Sequence, residues 1–278
     1  TSTPSHQTVT IDEMNSLGAE PSKLLGYVDQ GRSRFVDIET KLHGGITLRR
    51  AVTLLRKSDG LPILIDIFDV EGGETHDYHM RAHVPIEIPA VLGGGKEEQT
   101  FFSPVGSQDF YNPPKAPIKP ASFSVGPSLR PRKQTLFQEH SHYELRNFFT
   151  GGRVKGEWQA TWKRKERRVT AHVLSGCDEL ITYQSPAWRS QLAIAAEPND
   201  YADTVLLRNR GPKSRFMVVY EVAGNKPQIR HVKYNERPEE STIHCSVELR
   251  DGGTIFAHIP HKPKPGDTPS EFSIQWNR

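Results

Sequence analysis

Apolar and polar positions alternate with a period of two along most of this chain, which is the signature of half-buried strands. Thr8, Val9, Thr10 and Ile11 form a short alternating stretch. Ile46, Leu48, Val52 and Leu54 share one parity while Thr47, Arg49 and Thr53 share the other, so 46–56 reads as a long strand. Ser58, Asp59 and Gly60 make a turn, and 61–70 follows as a strongly apolar strand, giving a hairpin. Gly72 and Gly73 turn the chain again into a polar, histidine-laden strand over 75–85. Three strands at such short spacing argue an antiparallel sheet. Further strands are predicted at 158–162, 168–174, 180–184, 193–196, 204–209, 216–222, 229–234, 243–249 and 254–259, separated by turn signals such as Arg210-Gly211-Pro212 and Asp251-Gly252-Gly253. No segment carries an i, i+3, i+4 apolar stripe longer than a turn or two.

The break in this rhythm is proline. Seven prolines fall between Pro104 and Pro131, Pro113-Pro114 among them. Proline gives no ladder hydrogen bond, so 104–131 reads as a loop excursion. Evenly spaced short strands around one such excursion predict an all-β chain with little helix. The expected fold is a large antiparallel two-layer β-sandwich of the supersandwich type, with 1–278 a single domain.

Composition narrows the function classes. The chain has 278 residues with a net charge of +3, too near balance to point to nucleic acid. No stretch approaches the roughly 20 apolar residues of a membrane helix. Two cysteines, Cys177 and Cys245, exclude a disulfide-rich scaffold and a four-cysteine zinc site, and leave open whether they pair. Thr1 opens the chain with no initiator Met and no leader-like segment, as if in the middle of a domain, so a piece of a longer protein is expected. The sequence has no Gly-x-Ser-x-Gly, no Walker loop and no His-Glu-x-x-His.

Four places could carry chemistry. His6 is a lone histidine ahead of a strand and Asp12. His76, Tyr78, His79, Arg81 and His83 lie on one strand, with His76 and Tyr78 on one face and His79, Arg81 and His83 on the other. His79 and His83 stand roughly 13 Å apart on a strand, too far to share a metal ion. Arg50 falls on the apolar parity of its strand opposite an apolar stretch containing Asp66; a buried charge needs a partner, which favours an internal pair such as Arg50–Asp66 over a substrate contact. The basic run 163–168 follows Trp158 and Trp162, whose parity fits a core face better than a stacking platform.

The segment Ser5-His6-Gln7-Thr8-Val9-Thr10-Ile11-Asp12 resembles the His-Asn-Thr-Val-x-(Val/Ile)-Asp strand of the heparinase II/III-like polysaccharide lyases, which include alginate and heparan sulfate lyases. In the same order follow Leu48-Arg49-Arg50-Ala51-Val52, similar to an Arg-Arg strand, and Gly72-Gly73-Glu74-Thr75-His76-Asp77-Tyr78-His79, similar to a His-rich strand. The resemblance covers about the first 85 residues well and the later strands loosely. Gln7 replaces the usual Asn, and Glu13 stands where a Gly often follows the Asp.

The resemblance implies a C-terminal β-sandwich whose catalytic partner, an N-terminal α/α toroid, lies outside this chain. Such lyases cleave anionic uronic-acid polysaccharides by β-elimination in a periplasmic or secreted setting. It implies that no catalytic residue lies in this chain, that the chain alone is inactive, and that His6 is one ligand of a zinc ion whose other ligands lie upstream. His79, Arg81 and His83 become candidate contacts to a uronate or sulfate. The alternative is a non-catalytic carbohydrate-binding or structural β-sandwich module.

Overall fold

The computed structural model describes residues 8–13, 19–57, 61–81, 91–92, 99–100, 130–131, 146–151, 153–154, 157–164, 167–186, 201–224, 226–237, 242–260 and 272–277. Among them lie β1 (Val9–Ile11), β2 (Lys23–Asp29), β3 (Ser33–Leu42), β4 (Ile46–Arg56), β5 (Pro62–Glu71) and β6 (Thr75–Arg81). Then come β7 (Val91–Leu92), β8 (Gln99–Thr100), β9 (Arg130–Pro131), β10 (Arg146–Gly151), β11 (Trp158–Arg164), β12 (Arg167–Val173) and β13 (Glu179–Pro186). The last are β14 (Tyr201–Arg210), β15 (Lys213–Ala223), β16 (Ile229–Arg237), β17 (Thr242–Leu249), β18 (Thr254–Pro260) and β19 (Ser273–Asn277). No helix occurs among the described residues, so none there is long and apolar enough to cross a membrane.

Among the described residues all pairings are antiparallel, in three sheets. The six-stranded sheet runs β1-β6-β14-β13-β10-β9, the nine-stranded sheet β2-β3-β4-β5-β15-β12-β11-β7-β8, and the four-stranded sheet β16-β17-β18-β19. The all-β sandwich expected from the alternation is what forms, with its strands in three stacked sheets. One core joins the six- and nine-stranded sheets through Val9, Phe68, Tyr78, Met80, Trp158, Trp162, Val205, Phe216 and Val218. A second joins the nine- and four-stranded sheets through Phe35, Leu55, Ile63, Ile65, Ile67, Met217, Val219, Val247 and Ile259.

The physical reason lies in β5 and β15. Ile63, Ile65 and Ile67 enter the second core, while Phe68 and Val70 enter the first. On β15, Phe216 and Val218 face one way and Met217 and Val219 the other. A strand buried on both faces reads as a continuous apolar run, and the central sheet of three layers needs such strands.

The third strand of the predicted meander also changes place. β4 and β5 pair as a hairpin, Arg56 opposite Pro62, but β6 leaves for the six-stranded sheet. The same crossing recurs from β14 to β15. The two corners hold each other: the Gly72 N–H donates to Pro212 O, and the Gly211 N–H to Glu74 O, each at 2.8 Å. Gly72 and Gly73 have φ of 95° and 85°, and a Cβ on Gly73 would lie 2.4 Å from Ile11 Cγ2, so the corner requires glycine there.

Strands β2 and β3 were not anticipated, nor was β10. Of the proline-rich excursion only Arg130–Pro131 is described; it is an edge strand, where proline is tolerated. The strand predicted at 193–196 lies outside the described residues. Cys177 packs in the first core and Cys245 in the second, and both are free.

Candidate functional site

Strand β6 is an inner strand of the six-stranded sheet, between β1 and β14, and its alternation sorts the histidine-rich motif into two environments. His76, Tyr78 and Met80 point toward the nine-stranded sheet. His76 is a corner brace, its Nδ1 2.7 Å from Ser214 Oγ and its Nε2 2.9 Å from Gly72 O. The Tyr78 hydroxyl donates to Asp66 Oδ2 at 2.6 Å and lies 2.9 Å from the Tyr220 hydroxyl. The expected Arg50–Asp66 pair is present beside them, with Arg50 Nε donating to Oδ1 at 2.9 Å and Nη2 to Oδ2 at 2.7 Å.

Asp77, His79 and Arg81 occupy the outer face. Register places Thr10, Asp77 and Arg208 in one cross-strand row, and Arg81 beside Thr204 and Tyr183 in another. His79 Nδ1 lies 2.7 Å from the Tyr183 hydroxyl and Nε2 2.9 Å from Thr10 Oγ1. Arg208 clasps Asp77 with two hydrogen bonds of 2.7 Å and reaches Glu13 Oε1 at 2.7 Å. All of these except Glu13 are buried.

Burial governs their electrostatics. It pushes the His79 pKa down to about 3, helped by the nearby Arg208 and Arg81 charges, so the imidazole is neutral at physiological pH. Burial raises Tyr183 well above the ordinary phenol value, with Arg81 opposing, and lowers Arg81. Burial also raises Asp77, while the Arg208 hydrogen bonds pull it back. Arg81 and Arg208 are the guanidinium groups of this face, Arg208 paired with Asp77 and Glu13, and His79 is a neutral hydrogen-bonding group. Tyr183, Thr10 and Arg208 were not singled out as site residues; His79 and Tyr183 are 104 residues apart, and only the strand order β6-β14-β13 brings them together.

Next to β1 the backbone is unusual. Asp12 and Glu13 have φ of 52° and 59°, in the left-handed region. Asp12 Oδ1 accepts from the Glu74 and Thr75 N–H groups at 2.9 and 2.8 Å, which ties the end of β1 to the start of β6. A left-handed Glu13 fits a position where glycine is the easy residue.

A cleft of about 400 Å³ opens on the face of the nine-stranded sheet that looks toward the four-stranded sheet. Two register rows line it: Glu39, Arg49, Asp69 and Arg215 in one, with Thr47, Glu71 and Lys213 from the next. Charges alternate along both. Arg215 bonds Asp69 at 2.6 Å and Glu236 at 2.8 Å, and Lys213 lies 3.4 Å from Glu71. Arg49 bonds Asp37, while its buried Nη1 has no partner. Three cations against three anions make a lining with no net charge.

His6 and His83 lie outside the described residues. Among the described residues no group of three or more His, Cys, Asp and Glu side chains could hold a metal ion. Of the basic run 163–168, Lys165 and Glu166 lie outside the described residues, and Arg164 stands opposite Arg167 where β11 pairs with β12; Trp158 and Trp162 are buried in the first core as their parity predicts.

No family model and no curated protein matches the chain. Solved structures do. The chain is similar to the heparan sulfate lyase HepC from Pedobacter heparinus at 8% identity, over 93% of this chain and 31% of the lyase, with a TM-score of 0.49. A mutant of that enzyme aligns at 10% identity over the same shares, with a TM-score of 0.48. A heparinase III with methylated lysines aligns at 13% identity over 90% of this chain and 29% of its own, with a TM-score of 0.46. The chain spans about a third of the length of the lyases it matches.

Proposed function

We propose that this chain is the C-terminal β-sandwich of a heparinase II/III-like polysaccharide lyase, and that the intact protein cleaves an anionic uronic-acid polysaccharide by β-elimination. The observation that carries the reading is the pairing of β1 with β6, Val9 opposite Tyr78, because it sets side by side the two segments whose sequences resemble that family. Asp12, the last residue of the first motif, then caps the N–H groups that open the second. In this reading Arg81 supplies positive charge toward a uronate or sulfate. His79 and Tyr183 hold the sheet face in place, because a fully buried neutral imidazole offers no charge to a ligand. An α/α toroid outside this chain supplies the catalytic residues, zinc is held with His6 among its ligands, and the enzyme works in the periplasm or outside the cell.

The test is incubation of the chain alone, and of the longer protein that contains it, with alginate, heparin and heparan sulfate, following ultraviolet absorbance of the unsaturated uronate. Product is expected from the longer protein and none from the chain alone. Turnover by the chain alone would overturn the division of labour, and no turnover by the longer protein on any uronate polymer would overturn the lyase reading. The net-neutral cleft beside Arg49 favours a second reading, a non-catalytic carbohydrate-binding module, since alternating carboxylates and cationic groups match sugar hydroxyls. Retention of these polymers without product by the longer protein would select it.

A further inference from the structure

The outer face of the four-stranded sheet carries a pair of histidines that nothing in the proposed lyase function uses. His244 on β17 lies directly opposite His258 on β18. Their inward neighbours Ile243, Cys245, Ala257 and Ile259 are all buried in the second core, so strand alternation sends both imidazoles outward. Both are half-buried, and their ring centroids are 4.5 Å apart at an interplanar angle of 64°.

We propose that His244 and His258 form a bidentate site for a borderline divalent transition ion of the zinc and copper class, with waters completing its coordination. Directly opposite residues of an antiparallel pair have Cβ atoms roughly 4.5–5.5 Å apart, which lets two imidazoles converge on one ion at about 2.0–2.1 Å from each nitrogen. Imidazole is a good ligand for these metals and a poor one for magnesium or calcium. The same cross-strand row continues to Asn235 on β16 and Ser273 on β19, neutral residues whose oxygens suit the waters of a hydrated ion. The strands beneath are pinned by the second core, so the two ligands are pre-positioned and an ion would clip β17 to β18. The site is independent of the lyase reading and distinct from His6.

The experiment is calorimetric titration of ZnCl₂ into the untagged chain, alongside His6→Ala, His244→Gln and His258→Gln. One saturable site is expected in the parent and in His6→Ala, with affinity falling about tenfold or more in each of the other two. Zinc should raise the melting temperature of the parent and of neither sheet variant. Electron paramagnetic resonance of the Cu²⁺-loaded parent should show two coordinated nitrogens, a readout that needs no variant to fold. No saturable binding, binding unchanged in both sheet variants, loss in His6→Ala, or fewer than two nitrogens on copper would each overturn the proposal.

Discussion

Arg50 holds Asp66 by two parallel hydrogen bonds, Nε to Oδ1 and Nη2 to Oδ2, although the two residues are diagonal neighbours on adjacent strands. Val52 is the residue directly opposite Asp66, and Phe68 is opposite Arg50, with its ring 5.4 Å from the guanidinium carbon. The carboxylate is fully buried and also takes the Tyr78 hydroxyl, whereas the Arg50 side chain keeps 31% of its surface. The pair therefore stands at the rim of the first core, with the acid inside and the base at the edge.

Breaking this pair one residue at a time is expected to cost more than removing it whole. Asp66→Leu takes the carboxylate from Arg50 and from the Tyr78 hydroxyl, and Arg50→Met leaves a buried acid without its cation. Each should destabilise by about 3–5 kcal/mol. The double variant should fall short of the sum by about 1–3 kcal/mol. Guanidinium chloride unfolding of the four proteins measures the coupling, and additivity would show that the two act independently.

Asp12 combines a left-handed backbone with acceptance of two N–H groups at the start of β6. Asp12→Ala loses both hydrogen bonds and keeps a side chain that disfavours this φ, so it should cost about 2 kcal/mol or more. Asp12→Asn tolerates the conformation and retains a carbonyl oxygen, so it should cost under about 1 kcal/mol. Thermal melts of the two variants decide the order; equal losses would mean that the Asp12 acceptor contributes nothing.

What could be read from the chain followed locality. The β4–β5 hairpin was legible because alternation and the Ser58-Asp59-Gly60 turn signal agree, and the two-faced strand carrying His76 and His79 sorted correctly by parity. The hairpin of β2 and β3 was not, because Asp37 occupies an inward position of β3 and reads as solvent-facing until Arg49, a neighbour on the next strand, is found bonded to it. The third layer accords with the apolar run at 216–220 and with that at 63–68, broken by Asp66, but the corners that move β6 and β15 between sheets depend on contacts between Gly72 and Pro212, far apart in sequence. Of the candidate site, His79 and Arg81 were visible, whereas their burial and the partners Tyr183 and Thr10 come only from strand order.

Both thiols should be silent in the folded chain. Burial pushes Cys177 and Cys245 up to about 12, and each sits in a different core, so neither an intramolecular disulfide nor a thiolate forms near neutral pH. A chromogenic disulfide reagent is expected to titrate both thiols in denaturant and neither under native conditions within minutes. Rapid native labelling of either cysteine would mean that its core opens readily.

His79 makes stability depend on pH in a defined direction. Its folded pKa is near 3 against an ordinary value of about 6.5, because burial and the adjacent Arg208 and Arg81 disfavour the imidazolium. Between those values the unfolded chain binds a proton that the folded chain does not, so stability rises with pH across the window and falls on acidification. The contribution is complete above about pH 6.5 and exhausted below about pH 3, with an upper limit of roughly 5 kcal/mol. His79→Gln retains hydrogen-bonding groups for Tyr183 and Thr10 without the titration. Urea unfolding of parent and variant from pH 4 to 7.5 should show the parent losing up to one proton's worth of slope more than the variant, since carboxylates titrate alike in both. Parallel curves would mean that His79 reaches water in the folded state and that its neutrality is not a property of this sheet face.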